Sequence, residues 1–268
     1  MPFISVRDIQ MYYEVRGEGP RLMFISGTGG DLRRKPNVFN HSLAEHFEIL
    51  AFDQRGLGQT DKPDAPYTMF DYAADAAALL VKLSWESCLV MGVSFGGMVA
   101  QEFALRYPKR VEKLVLACTS IGGTGGASYP LHELLLGTPL KERAVKMIEL
   151  LDTRYDKTWQ THHPRQFKVM IDQSVSRWKL IEDEPVRVMG LRRQLEARMH
   201  HDTYDRLPKL QMPVFICGGK YDAISPPENL RALQGQIPNS QLEFFEGGHG
   251  FLLQDQRAYK SIITFMLK

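Results

Sequence analysis

The stretch Gly92-Val93-Ser94-Phe95-Gly96-Gly97 decides the fold. It directly follows the apolar run Cys88-Leu89-Val90-Met91 and opens a helical pattern that runs from Ser94 to Tyr107. A sharp strand-to-helix turn at a serine forces a strained backbone on that residue and leaves its hydroxyl exposed. Glycines belong on either side because the turn brings the two backbones too close for side chains. The helix start adds unpaired N–H groups and a positive dipole end where negative charge could develop. The bare G-x-S-x-G pattern also arises in plain glycine turns. Its position between a buried strand and a helix makes Ser94 a candidate nucleophile.

Working outward, Leu22-Met23-Phe24-Ile25, Ile49-Leu50-Ala51-Phe52 and Leu114-Val115-Leu116-Ala117 are continuous apolar runs. Continuous runs mark strands buried on both faces of a parallel sheet. A helical pattern over Phe70–Leu83 separates two of them, and two further runs follow at Val214–Cys217 and Leu242–Phe245. Ile9–Val15 partly alternates and follows Phe3–Val6, which reads as an antiparallel hairpin at a sheet edge. Alternating strands and helices predict an α/β fold with a mostly parallel central sheet flanked by helices.

Between Thr119 and Leu207 the strand-like runs vanish. Leu131–Leu136, Leu140–Leu151, Phe167–Val175 and Val186–Met199 read as helices, punctuated by Pro139, Pro164, Pro185 and Pro208. The expected organisation is a core of residues 1–118 and 208–268, interrupted by a helical cap or lid over 119–207. The glycines of Gly122–Gly126 read as a flexible hinge into it.

A serine alone is not nucleophilic at neutral pH. It needs a general base, and the base needs an orienting carboxylate. Of the eight histidines, His249 stands apart, in Glu246-Gly247-Gly248-His249-Gly250-Phe251 just beyond the last strand. That is the carboxyl edge of the sheet, where α/β active sites form. Asp222 occupies the matching place after Val214–Cys217, although a turn or capping aspartate before Pro226 would look the same.

Composition bounds the partners. The chain has 268 residues, 44% hydrophobic and 24% charged, with a formal net charge of +2. That near-balance speaks against a nucleic-acid-binding surface. No run approaches the ~18 apolar residues of a membrane helix, and the first residues lack a secretory pattern. Cys88, Cys118 and Cys217 form no C-x-x-C, and each sits in or beside an apolar run, as reduced buried thiols would. A cytoplasmic protein is expected. No metal-spaced set of His, Cys and Asp is evident, so no metal or organic cofactor is expected.

Taken together, the chain resembles an α/β-hydrolase fold serine hydrolase over nearly its whole length. The resemblance is carried by the Ser94 turn, the Gly218-Gly219-Lys220-Tyr221-Asp222 and Gly247-Gly248-His249-Gly250-Phe251 segments, and Asp53-Gln54-Arg55-Gly56-Leu57-Gly58, whose counterpart is structural in that family. It implies the chain order Ser94, Asp222, His249 for nucleophile, acid and base. It also implies an oxyanion hole made by the N–H of Phe95 and one from the loop Ser26-Gly27-Thr28-Gly29-Gly30. The pattern points to Thr28, and Gly29 stays open. Ser26 stands where many relatives carry histidine. That feature, with Leu114–Thr119 and Gly96-Gly97-Met98, is similar to 3-oxoadipate enol-lactonases. Dehalogenases and epoxide hydrolases of this fold carry aspartate at the Ser94 position and are excluded.

The expected activity is therefore cleavage of a small carboxylic ester or lactone. Alternatives on the same three residues are a C–C bond hydrolase of the meta-cleavage type, a thioesterase, a lyase or cofactor-free haloperoxidase, or a ligand receptor. Phe70, Trp159, Phe167, Met170, Trp178 and Met189 are candidate pocket liners. Arg187, Arg192, Arg193 and Arg198 read as a solvated charged face, with carboxylate binding as the sharper option.

Overall fold

Strands form where the apolar runs stand. A computed structural model describes residues 2–268, the Leu136 side chain excepted. The strands are β1 (Phe3–Val6), β2 (Ile9–Arg16), β3 (Arg21–Ile25), β4 (Glu48–Phe52), β5 (Cys88–Val93), β6 (Val111–Ala117), β7 (Val214–Gly219) and β8 (Ser240–Phe245). They make one sheet in the order β1-β2-β4-β3-β5-β6-β7-β8. The edge hairpin β1–β2 and the β2–β4 pair are antiparallel, and every other pair is parallel.

The central strands are buried on both faces, which explains their unbroken apolarity. Met23, Leu50, Val90 and Leu116 pack on one side, under α1 (Met69–Lys82), α2 (Phe95–Arg106) and α8 (Pro227–Gln236). Leu22, Ile49, Met91 and Val115 pack on the other, under α9 (Phe251–Gln254), α10 (Arg257–Leu267) and two short turns near Val38 and Leu43. The fold is an α/β-hydrolase-type sandwich of helices around a mostly parallel sheet.

Five helices lie between β6 and β7: α3 (Leu131–Gly137), α4 (Leu140–Leu151), α5 (Lys157–His162), α6 (Pro164–Glu182) and α7 (Pro185–Met199). Two differ from the sequence expectation. Helix α5 has no counterpart in it; the Asp156 side chain caps it by accepting from the Trp159 N–H at 2.7 Å. Helix α6 extends well beyond Phe167–Val175 at both ends. Pro164 and Pro185 start helices rather than separating them, because the first helical position needs no N–H donor and favours the proline φ.

The glycine cluster is a packed corner, not a free hinge. Gly122 bridges Asp202, and the Thr203 N–H donates to the Ile121 carbonyl at 3.0 Å, so the entry and exit of the five-helix segment are pinned together. A side chain at Gly123 would collide with Asp202, and one at Gly125 with Tyr204.

Candidate active site

Ser94 sits between β5 and α2 with φ +56° and ψ −118°, a region that non-glycine residues rarely occupy. The backbone around it locks this geometry. The Ser94 N–H donates to Ala117 at 2.8 Å, and its carbonyl accepts from Gly97 N–H at 2.9 Å and from the Thr119 hydroxyl at 2.8 Å. A side chain at Gly92 would run into the Gly96 carbonyl, and one at Gly96 into the Ile25 carbonyl. These two glycines are therefore steric requirements of the turn.

His249 and Asp222 converge on Ser94. Asp222 is buried, with its side chain shut off from solvent, and its Oδ1 accepts from the N–H groups of Ile224 at 2.8 Å and Ser225 at 2.9 Å. The turn-capping role and the contact with the histidine thus coincide: one oxygen holds the loop, and the other faces His249. Asp222 Oδ2 lies 2.7 Å from His249 Nδ1, and His249 Nε2 lies 2.9 Å from Ser94 Oγ. A carboxylate only accepts, so Nδ1–H donates to it. Nε2 of the neutral ring is then the acceptor for the serine O–H. This arrangement can move a proton from Ser94 to His249.

The loop after β3 lies against the nucleophile: a Cβ on Gly27 would stand 3.3 Å from Ser94 Cβ. The Gly29 N–H is already taken, donating to Gln194 Oε1 of α7 at 2.9 Å. Among the described residues, neither the Thr28 nor the Phe95 N–H meets an acceptor, so Thr28 is the donor of the pair open to a ligand. Two buried glutamines hold this loop. Gln194 grips Gly29, and Gln54 Nε2 donates to the Ser26 carbonyl at 2.8 Å. Asp53 anchors the far end by accepting from Leu32 N–H at 2.8 Å. Its burial pushes the carboxyl pKa up to about 6.

Sequence reasoning missed the brace on the base. The carbonyl of Leu151, the last residue of α4, accepts from the His249 N–H at 2.6 Å. The Ala223 N–H donates to Leu150 at 3.1 Å, and the Thr153 N–H to Tyr221 at 2.9 Å. One helix end therefore supports both the Asp222 and His249 loops. No local pattern announces backbone bonds across such sequence distances.

Other expectations sort out as follows. Arg55 joins Asp8 and Asp75, bonding the latter through Nε at 2.7 Å and Nη2 at 2.8 Å, in keeping with a structural loop. Arg187 and Arg198 are buried rather than solvated: Arg187 pairs with Asp31 at 3.1 Å, and Arg198 bonds the Tyr129 carbonyl and the Ser128 hydroxyl. Arg193 pairs with Asp64 and Glu196, and Arg192 is exposed. The difference arises because α7 packs onto the core instead of facing water. Of the six candidate liners, Met170 and Trp178 line a cavity with Thr28, whereas Phe70 is on the surface against Arg106. The three cysteines are free and buried, and burial raises the Cys88 thiol to about 12, so none is primed as a nucleophile. Among the described residues, no group of three or more His, Cys, Asp or Glu is placed to hold a metal ion, and no helix is long and apolar enough to cross a membrane.

The family model for the alpha/beta hydrolase fold matches residues 20–256. The chain belongs to the α/β-hydrolase fold family. This α/β-hydrolase is 29% identical over 248 residues to a poly(3-hydroxyalkanoate) depolymerase of Ectopseudomonas oleovorans, covering 92% of this chain and 84% of that one. Solved structures similar to it include the enol-lactonase of Burkholderia xenovorans, with TM-score 0.79, 22% identity and full coverage of both chains. A meta-cleavage product hydrolase of Pseudomonas fluorescens superposes with TM-score 0.77 at 21% identity, covering 98% of this chain and 96% of that one. At these identities the structural matches speak for the fold. The membership places the chain in a hydrolase family, whose fold is consistent with a small-molecule substrate.

Proposed function

We propose that the chain is a serine hydrolase that cleaves small carboxylic esters or lactones through an acyl-enzyme. The observation that carries this is the hydrogen-bonded line Ser94–His249–Asp222, at 2.9 and 2.7 Å, on a strained serine at a helix start. Ser94 Oγ attacks the carbonyl carbon as its proton passes to His249 Nε2. The tetrahedral oxyanion is held by the N–H groups of Thr28 and Phe95. Collapse breaks the C–O bond, and His249 returns the proton to the leaving alkoxide. A water deprotonated by His249 then attacks the acyl group, and Ser94 leaves with that proton. Asp222 fixes the imidazole tautomer and stabilises the imidazolium throughout.

The five helices over 119–207 act as a cap on this site. Support comes from the cavity of about 320 Å³ between α4, α6, α7 and the Thr28–Gly29 loop. Its apolar wall of Met147, Met170, Trp178 and Leu191 suits the hydrocarbon part of a small substrate and shields an acyl-enzyme from bulk water.

The test is a panel of short-chain esters, lactones and thioesters with wild type and Ser94→Ala. Turnover of the best ester should fall by on the order of 10⁴–10⁶ in the variant. Full retained activity would contradict the assignment. Turnover of a vinylogous diketone but of no ester would favour C–C cleavage on the same residues.

A further inference from the structure

Two cavities meet at the candidate oxyanion loop. One of about 380 Å³ is lined by His249, Val93 and the loop from Ser26 to Asn37; the other, of about 320 Å³, lies beneath α6. They share Thr28, Gly29 and Arg34. The second cavity also holds Arg177 of α6. A molecule that reaches from His249 past the Thr28–Gly29 loop into the second cavity therefore passes both guanidinium groups.

These two arginines lack what their neighbours have. Arg33 is paired with Asp31 at 2.8 Å, and Arg187 with Asp31 at 3.1 Å and Glu184 at 3.4 Å. Asp31, the carboxylate in the cavity lining, is thereby claimed. Among the described residues, Arg34 and Arg177 have no ion-pair or side-chain hydrogen-bond partner. Both are exposed residues that line the cavity, and Arg34 has Arg187 and Arg177 as neighbouring positive charges, set against the attraction of Asp31. Like charges beside a cavity lined with apolar groups raise the energy of the empty site. A carboxylate between them relieves that repulsion and can be bound bidentately by a guanidinium fork.

We propose that Arg34 and Arg177 form a carboxylate-recognising subsite, so that the preferred substrate is an ester or lactone with a free carboxylate at its far end. Rim arginines solvated in water are the competing explanation, and they would give no preference between charged and neutral substrates. The proposal rests on the hydrolase reading above, so its test separates the two.

The test compares kcat/KM for monomethyl glutarate and for methyl pentanoate, which share the acyl chain length and differ in the terminal carboxylate. Wild type should favour the glutarate. In the double variant Arg34→Gln/Arg177→Gln, the ratio of the two should fall roughly ten- to hundredfold, mainly through KM. Arg231→Gln, on the distant helix α8, should leave the ratio at the wild-type value. Raising ionic strength should erode the preference. A wild-type ratio at or below one, or a ratio unaltered in the double variant, overturns the proposal. If neither ester is turned over, the hydrolase reading is what fails. Calorimetric titration with glutarate then decides the subsite: binding that weakens in the double variant supports it, and no binding overturns it.

Discussion

Around Ser94 a strained backbone, a hydrogen-bonded imidazole and, behind it, a buried carboxylate come together, and each has a separable consequence. Asp222 spends one oxygen on the Ile224 and Ser225 N–H groups and the other on His249. Asp222→Asn preserves the shape of the side chain but can present an N–H to Nδ1, which favours the wrong tautomer. Ester turnover should fall roughly 10⁴-fold with little change in thermal stability, read by kcat and by a melting curve. The serine, histidine and aspartate could be picked out in the sequence because each has a local setting: a glycine-flanked turn or a glycine-rich loop after a strand. Arg34 has no such setting. Its significance lies in which carboxylates its neighbours Arg33 and Arg187 have already claimed, and only the folded arrangement shows that.

Among the elements, α7 couples the helical segment to the loop that carries Thr28. Gly190 packs backbone to backbone on Gly56, so that a side chain there would collide with the Gly56 carbonyl. One turn further on, Gln194, fully buried, accepts the Gly29 N–H. Gln194→Met removes the acceptor at similar volume and frees Gly29. Thr28 should then lose its fixed direction, lowering kcat by on the order of 10–100-fold while KM changes little. An equal loss in kcat and folding stability would instead mark Gln194 as packing alone. Strand positions were legible from unbroken apolar runs such as Leu114–Ala117. Helix boundaries in the 131–199 region were less so, because a proline at a helix start and a proline at a helix end look alike in sequence. The contact between Gly29 and Gln194 spans 165 residues and leaves no periodic trace.

For the whole molecule, stability depends on pH through buried titratable groups that do not touch Ser94. His201 donates to the Ser120 carbonyl at 3.1 Å, near Glu102, Arg206 and Asp202, and its burial pulls its pKa down to about 4 from an ordinary 6.5. The unfolded chain binds the proton more readily, so the stabilising effect is complete above about pH 6.5 and is lost as pH falls toward 4. Asp53, raised to about 6, acts the opposite way: its contribution is present at low pH and is lost as pH rises through about 4 to 6. The two contribute to total stability over that window with opposite sign. The difference between wild type and His201→Gln isolates the histidine, and the wild type should lose up to about 3 kcal/mol relative to the variant between pH 7 and pH 4. Chemical denaturation at a series of pH values reads it, and parallel curves would refute the assignment. The α/β architecture was legible because it is written in local periodicity. The pinned corner at Gly122 and the brace from Leu151 to His249 were not, since both join segments far apart in the chain. The central claim, an acyl-enzyme on Ser94, is tested most directly by acid-quenching the protein during turnover of a short-chain ester and mapping the added acyl mass by peptide mass spectrometry. The mass should lie on the peptide containing Ser94 and be absent from Ser94→Ala. An acyl adduct on another residue, or steady turnover that survives in Ser94→Ala, would contradict it.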